Sequence, residues 1–121
     1  MLRFSVTNTT GAEIAIKSIK VESSDPTNEF YAKASYSPHD FTTSEPKLSI
    51  RLSCSHNIAA GSNANFYMTT PGNTVSTASA NLIITVEYDD TSKVFTVPGA
   101  TNAFLQTPFE GGKRYYFDLS I

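Results

Sequence analysis

Asn81-Leu82-Ile83-Ile84-Thr85-Val86-Glu87-Tyr88 is the stretch that decides the fold. Leu82, Ile84, Val86 and Tyr88 share one face of an extended chain, and Ile83 falls on the other face near its start. The β-branched residues fit a pleated surface, and the period of two is that of a strand buried on one side. Working outward, Asp89-Asp90-Thr91-Ser92 supplies a four-residue connection to a strand over residues 93–97, so the pair reads as a hairpin. Pro98-Gly99 ends it, since proline has no N–H for a ladder.

The same period recurs along the chain in short segments parted by turn residues. Leu2 to Thr7 alternates with Phe4 and Val6 inward, and Asn8-Thr9-Thr10-Gly11 breaks the pattern. In the next segment Ile14 and Ile16 share one parity and Ile19 and Val21 the other. A β-bulge near Lys17-Ser18 reconciles them within one strand. Residues 23–28 read as a loop, residues 30–35 as a short strand, and residues 36–46 as irregular. Residues 48–54 alternate with Leu48, Ile50, Leu52 and Cys54 inward. His56-Asn57-Ile58-Ala59-Ala60-Gly61-Ser62-Asn63 is expected to turn the chain into a strand over residues 64–69, with Phe66 and Met68 facing one way and Tyr67 the other. Pro71-Gly72-Asn73-Thr74 ends that strand. Residues 113–121 follow the flexible Gly111-Gly112, with Tyr115, Phe117, Leu119 and Ile121 inward and Tyr116, Asp118 and Ser120 outward. No window of ten or more residues reads as a capped helix, and there is no internal repeat. The expectation is an all-β protein: seven or eight strands, mostly antiparallel, in a two-sheet β-sandwich.

Composition supports this and excludes several function classes. The 121 residues suit a single domain spanning residues 1–121. Charged residues make up only 17% while Ser and Thr number 15 each, a polar surface suited to strands and turns rather than to amphipathic helices. A formal charge of -2 gives no general attraction to phosphate backbones, so nucleic acid is not an expected partner. No apolar run approaches the roughly 18 to 20 residues of a transmembrane helix. Met1-Leu2-Arg3-Phe4-Ser5-Val6 lacks the apolar stretch of a signal peptide, so if the protein works outside the cytoplasm its export signal is expected to lie outside these residues. Cys54 is the single cysteine, which excludes an intramolecular disulfide and a cysteine zinc cluster. Its parity makes it a buried structural thiol rather than a nucleophile.

Chemistry-bearing motifs are sparse. The chain has no G-x-S-x-G, no Walker loop, no dinucleotide glycine fingerprint and no H-E-x-x-H. His39 and His56 fall in expected loops. A hydrolase would need both beside an acidic residue in one cleft, and scattered surface histidines are the commoner case. Asp89-Asp90 lacks the surrounding acidic ladder of a calcium loop and reads as a solvated turn. No catalytic residue, cofactor or metal site is therefore expected. Aromatic residues raise a carbohydrate-binding alternative. Trp is absent, Tyr31, Tyr36, Tyr67 and Tyr116 are the outward tyrosines, and Tyr36, Tyr67 and Tyr116 are the candidate glycan-binding residues.

Several segments, in order, resemble the fimbrillin-like family, the fimbrial subunits and related surface lipoproteins of Bacteroides-type bacteria. They are Phe4-Ser5-Val6-Thr7-Asn8, Ile14-Ala15-Ile16-Lys17-Ser18-Ile19, Phe66-Tyr67-Met68-Thr69-Thr70-Pro71, Asn81-Leu82-Ile83-Ile84-Thr85-Val86 and Gly112-Lys113-Arg114-Tyr115-Tyr116-Phe117-Asp118-Leu119-Ser120-Ile121. The resemblance implies a transthyretin-like or immunoglobulin-like sandwich on the cell surface at the outer membrane. It further implies a non-enzymatic role in fimbrial assembly, adhesion or surface attachment, with other subunits engaged by strand exchange and with surface glycans or proteins as partners. The lipidated cysteine, early strand and second domain of full subunits are not seen in these residues. Leu2-Arg3-Phe4-Ser5-Val6 and Phe117-Asp118-Leu119-Ser120-Ile121 alternate cleanly and are the natural strands to exchange. The alternative is that both are ordinary closed strands of a monomer.

Overall fold

A computed structural model of the chain describes residues 1–25, 49–68, 80–102 and 113–121 with their side chains, and residues 30–36 and 41–47 by their backbone. Among the described residues nine strands run in the order β1 (Leu2–Thr7), β2 (Ile14–Ser23), β3 (Phe30–Tyr36), β4 (Phe41–Lys47), β5 (Ser49–Ile58), β6 (Asn63–Met68), β7 (Asn81–Tyr88), β8 (Thr91–Pro98) and β9 (Tyr115–Ser120). Among the described residues the one helical element is the 3-10 turn Gly99–Thr101.

The strands form a β-sandwich. One sheet has three strands in the order β6-β1-β9, the other four in the order β5-β2-β7-β8, and β3 and β4 make a separate hairpin. The hydrophobic core lies between the sheets. Leu2, Phe4, Val6, Phe66, Met68, Phe117, Leu119 and Ile121 enter it from the first sheet, and Ile14, Ile16, Ile19, Val21, Ile58, Leu82, Ile84 and Val86 from the second. Every one belongs to an alternating series, which is why strands bury them on one side and leave the intervening residues outward. The exception to antiparallel pairing among the described strands is β1 with β9, which runs parallel.

The expected bulge is present. Ile16 pairs with Tyr88 of β7 and Ser18 with the adjacent Glu87, so Lys17 is an extra residue against β7. That residue switches the inward parity, allowing Ile14, Ile16, Ile19 and Val21 to enter one core from a single strand. The bulge also buries Ser18, whose Oγ has no hydrogen-bond partner.

Three sequence expectations are corrected. Part of the segment expected to be irregular, residues 36–46, contains β4, which pairs with β3 from Phe30↔Lys47 to Tyr36↔Phe41. Phe41-Thr42-Thr43 is β-prone, and in a two-stranded hairpin each strand is an edge, where Pro46 is tolerated. β5 continues through His56-Asn57-Ile58, expected as a turn, because these residues pair with Ile16, Ala15 and Ile14 beyond the bulge. The β7–β8 connection has two residues rather than four: Tyr88 pairs with Thr91 around Asp89-Asp90. Asp89 adopts a φ of 49°, a conformation that Asp tolerates better than most residues. Its carboxylate accepts the Ala15 N–H at 2.9 Å, which the sequence pattern could not indicate.

Asn8, which follows β1, ties that strand's end to the turn before β2 and to the end of β5. It is fully buried, and its side-chain amide donates to the carbonyls of Ala12 at 2.6 Å and Ile58 at 2.9 Å. Its Oδ1 accepts from the N–H and hydroxyl of Thr10. The turn thus satisfies its polar atoms internally, as burial demands. Leu48, Pro71-Gly72-Asn73-Thr74 and Gly111-Gly112, each given a role in the sequence pattern, lie outside the described residues.

Candidate binding face

With the inner faces of both sheets consumed by the core, chemistry falls to the outer faces. On the three-stranded sheet, β1 is central, and its alternation sends Arg3, Ser5 and Thr7 outward. The register sets Arg3 opposite Tyr67 of β6 and Tyr116 of β9. The next outward row is Asn65, Ser5 and Asp118, and the one after it Asn63, Thr7 and Ser120. Neighbouring strands lie about 4.8 Å apart, so the two tyrosines stand roughly 10 Å apart with Arg3 between them.

Tyr67 and Tyr116 are 52% and 51% exposed, and with Val94 they are the large hydrophobic side chains most open to solvent among the described residues. The guanidinium carbon of Arg3 lies 4.0 Å from the centroid of the Tyr116 ring, a cation–π contact. Arg3 Nε is buried under this stack without a hydrogen-bond partner. No carboxylate pairs with Arg3 among the described residues. Arg114, which is exposed, precedes Tyr116 by two residues, just ahead of β9, and lies beside that row toward the start of β1. Its charge reaches that end: the Met1 amino group is held below its ordinary value by burial first and by Arg114 second.

Two of the three candidate tyrosines, Tyr67 and Tyr116, therefore come together in one row. Tyr36 ends β3 in the separate hairpin, and its side chain lies outside the described residues, as does that of Tyr31. Arg3 was not singled out by sequence. Alternation shows that it points outward, but nothing local shows that β1 lies between β6 and β9.

The other candidates are dispersed. His56 sits exposed on β5, its ring edge-on to Phe66 at 5.7 Å, and His39 lies outside the described residues. Cys54 is half-buried rather than buried, because β5 is the outer strand of its sheet. Its Sγ lies 3.7 Å from the Ile16 carbonyl, and burial raises the thiol above its ordinary value, which keeps it protonated. Asp89 and Asp90 form a turn beside an open polar concavity that Lys17 and Glu87 also line. Among the described residues no group of three His, Cys, Asp or Glu side chains is placed to hold a metal ion, and no helix is long and apolar enough to cross a membrane.

Compared with known proteins, the chain matches no family model and no curated sequence.

Proposed function

We propose that the chain is a non-enzymatic surface module of the fimbrillin-like type that serves in adhesion or surface attachment through the outer face of its three-stranded sheet. The observation that carries this reading is the single row Tyr67, Arg3, Tyr116, two half-exposed aromatic rings around a cation on a rigid sheet. Tyrosine and arginine give large contact area at low conformational cost and are the residues that anchor binding surfaces. The ordered motifs that resemble fimbrial subunits supply the surface setting. The test is adhesion of beads coated with the folded chain to bacterial and epithelial cells. The double variant Tyr67→Ser with Tyr116→Ser should lose adhesion while melting at an unchanged temperature; adhesion that survives it overturns the reading.

A second reading, fimbrial assembly by strand exchange, is favoured by β9. It pairs with β1 in parallel, while Phe117, Leu119 and Ile121 fill the core. A strand that adds main-chain bonds to a sheet and fills the core with alternate apolar side chains is the kind that another subunit can supply. A labelled peptide of residues 113–121 should enter the folded chain over hours and displace β9. Failure to enter, even near the melting transition, contradicts the exchange.

A further inference from the structure

We infer that the row Tyr67, Arg3, Tyr116, extended by Arg114, binds saccharides carrying an anionic group. The inference rests on the adhesion reading and names the ligand class of that same face. Its starting point is a difference between the two sheets. On the four-stranded sheet each guanidinium or ammonium outside the β8 edge has an acidic neighbour: Lys17 with Asp90, Lys20 with Glu22, Arg51 with Glu87. At the β8 edge Lys93 donates to the Ser120 carbonyl. Among the described residues Arg3 and Arg114 have no such carboxylate, so two guanidinium groups on one side of the first sheet retain their charge for a ligand.

The row supplies what an acidic sugar requires. The ring of Tyr67, and the side of the Tyr116 ring away from Arg3, take the C–H surface of a pyranose ring, and a guanidinium offers the paired donors that a carboxylate or sulfate accepts. Arg3 is held over Tyr116, so little rotamer freedom remains to be lost on binding. In the adjoining row Asn65 and Ser5 provide hydrogen-bonding groups for sugar hydroxyls. Asp118, opposite Ser5, accepts from hydroxyls and repels an anion, which directs the charged group toward Arg3 and Arg114. Two guanidinium groups beside a carboxylate, on a chain of net charge -2, do not make a track for a nucleic-acid backbone. Two exposed aromatic rings at fixed spacing favour a sugar.

The test is calorimetric titration of the full chain with oligogalacturonate, which carries carboxylates, with heparin-derived oligosaccharide, which carries sulfates as well, and with neutral dextran oligosaccharide. Binding of either anionic probe over the neutral one is expected, weakening as salt is raised. Preference between the two identifies which anion the site takes. Arg3→Gln and Arg114→Gln should each lower that affinity by about tenfold, the loss of one charge-assisted contact. Arg114 is exposed, so its variant tests the site without a folding defect, and Arg51→Gln on the other sheet should change nothing. Equal affinity for the neutral probe, binding indifferent to Arg3 and Arg114, or no binding to any probe overturns the inference. Cell adhesion that still depends on Tyr67 and Tyr116 would then leave the adhesion reading standing.

Discussion

Phe4 of β1 and Phe117 of β9 are direct partners in a parallel pair, and their rings stack with centroids 5.4 Å apart and planes 16° from parallel. The contact joins residues more than a hundred positions apart at the centre of the first sheet. It also fixes the register that sets Arg3 beside Tyr116 one residue earlier, on the opposite face. The hydrophobic core and the outer face are thus two sides of one pairing.

Truncating that stack should be costly. Phe117→Ala removes a buried ring whose space the rigid sheets cannot fill by collapse, and a loss of about 3–5 kcal/mol is expected. Phe117→Leu should cost less. Urea unfolding followed by fluorescence or circular dichroism gives both values, and a loss below about 1 kcal/mol for the alanine variant would contradict the packing described.

Asn8 should behave as a structural residue despite its polarity. Asn8→Ala leaves the buried Ile58 carbonyl without its donor and removes the acceptor of Thr10, so about 2–3 kcal/mol of stability should be lost. Asn8→Asp should be at least as harmful, since a carboxylate cannot donate to the Ala12 and Ile58 carbonyls. The midpoint of chemical unfolding for each variant checks this.

The Asp89 turn separates conformation from side-chain chemistry. Asp89→Val places a β-branched residue at a φ of 49° and loses the acceptor for the Ala15 N–H, so destabilisation of about 2 kcal/mol is expected. Asp89→Asn keeps an acceptor oxygen and tolerates the backbone, so its melting temperature should stay close to that of the parent. Equal effects of the two substitutions would contradict the role given to the Asp89 turn.

Cys54 carries a pH dependence whose sign is fixed by its burial. The folded thiol is raised above its ordinary value of 9.0, so the folded state holds its proton to higher pH than the unfolded chain. The resulting stability is present below the unfolded pKa and is lost as pH rises through the folded one. Cys54→Ala should therefore flatten the alkaline decline in stability relative to the parent, and at pH 8 the folded thiol should react with a disulfide reagent more slowly than in urea. A faster reaction in the folded state would contradict the assignment.

These details show how far one-dimensional pattern carries. Alternation alone placed Phe4, Val6, Leu82, Ile84, Val86, Phe117 and Leu119 in the core, and the parity change between Ile16 and Ile19 located the bulge. Those features depend on residues close in sequence. Strand order depends on distant pairing, so the parallel β1–β9 contact and the position of Arg3 between Tyr67 and Tyr116 had no local signature. β4 is not legible in the sequence because it is defined by its pairing with β3 rather than by a strict period of two. Tyr67 and Tyr116 were each legible as outward tyrosines; that they share a row was not.

The central claim is that the outer face of the three-stranded sheet binds an anionic saccharide. The most direct measurement is an amide chemical-shift map of the isotope-labelled chain titrated with heparin-derived oligosaccharide. The expected result is perturbation concentrated at Arg3, Tyr67, Arg114, Tyr116 and their neighbours, with Arg51, Glu87 and Val94 of the other sheet unmoved. Perturbation centred on the four-stranded sheet, or none at saturating oligosaccharide, would contradict it.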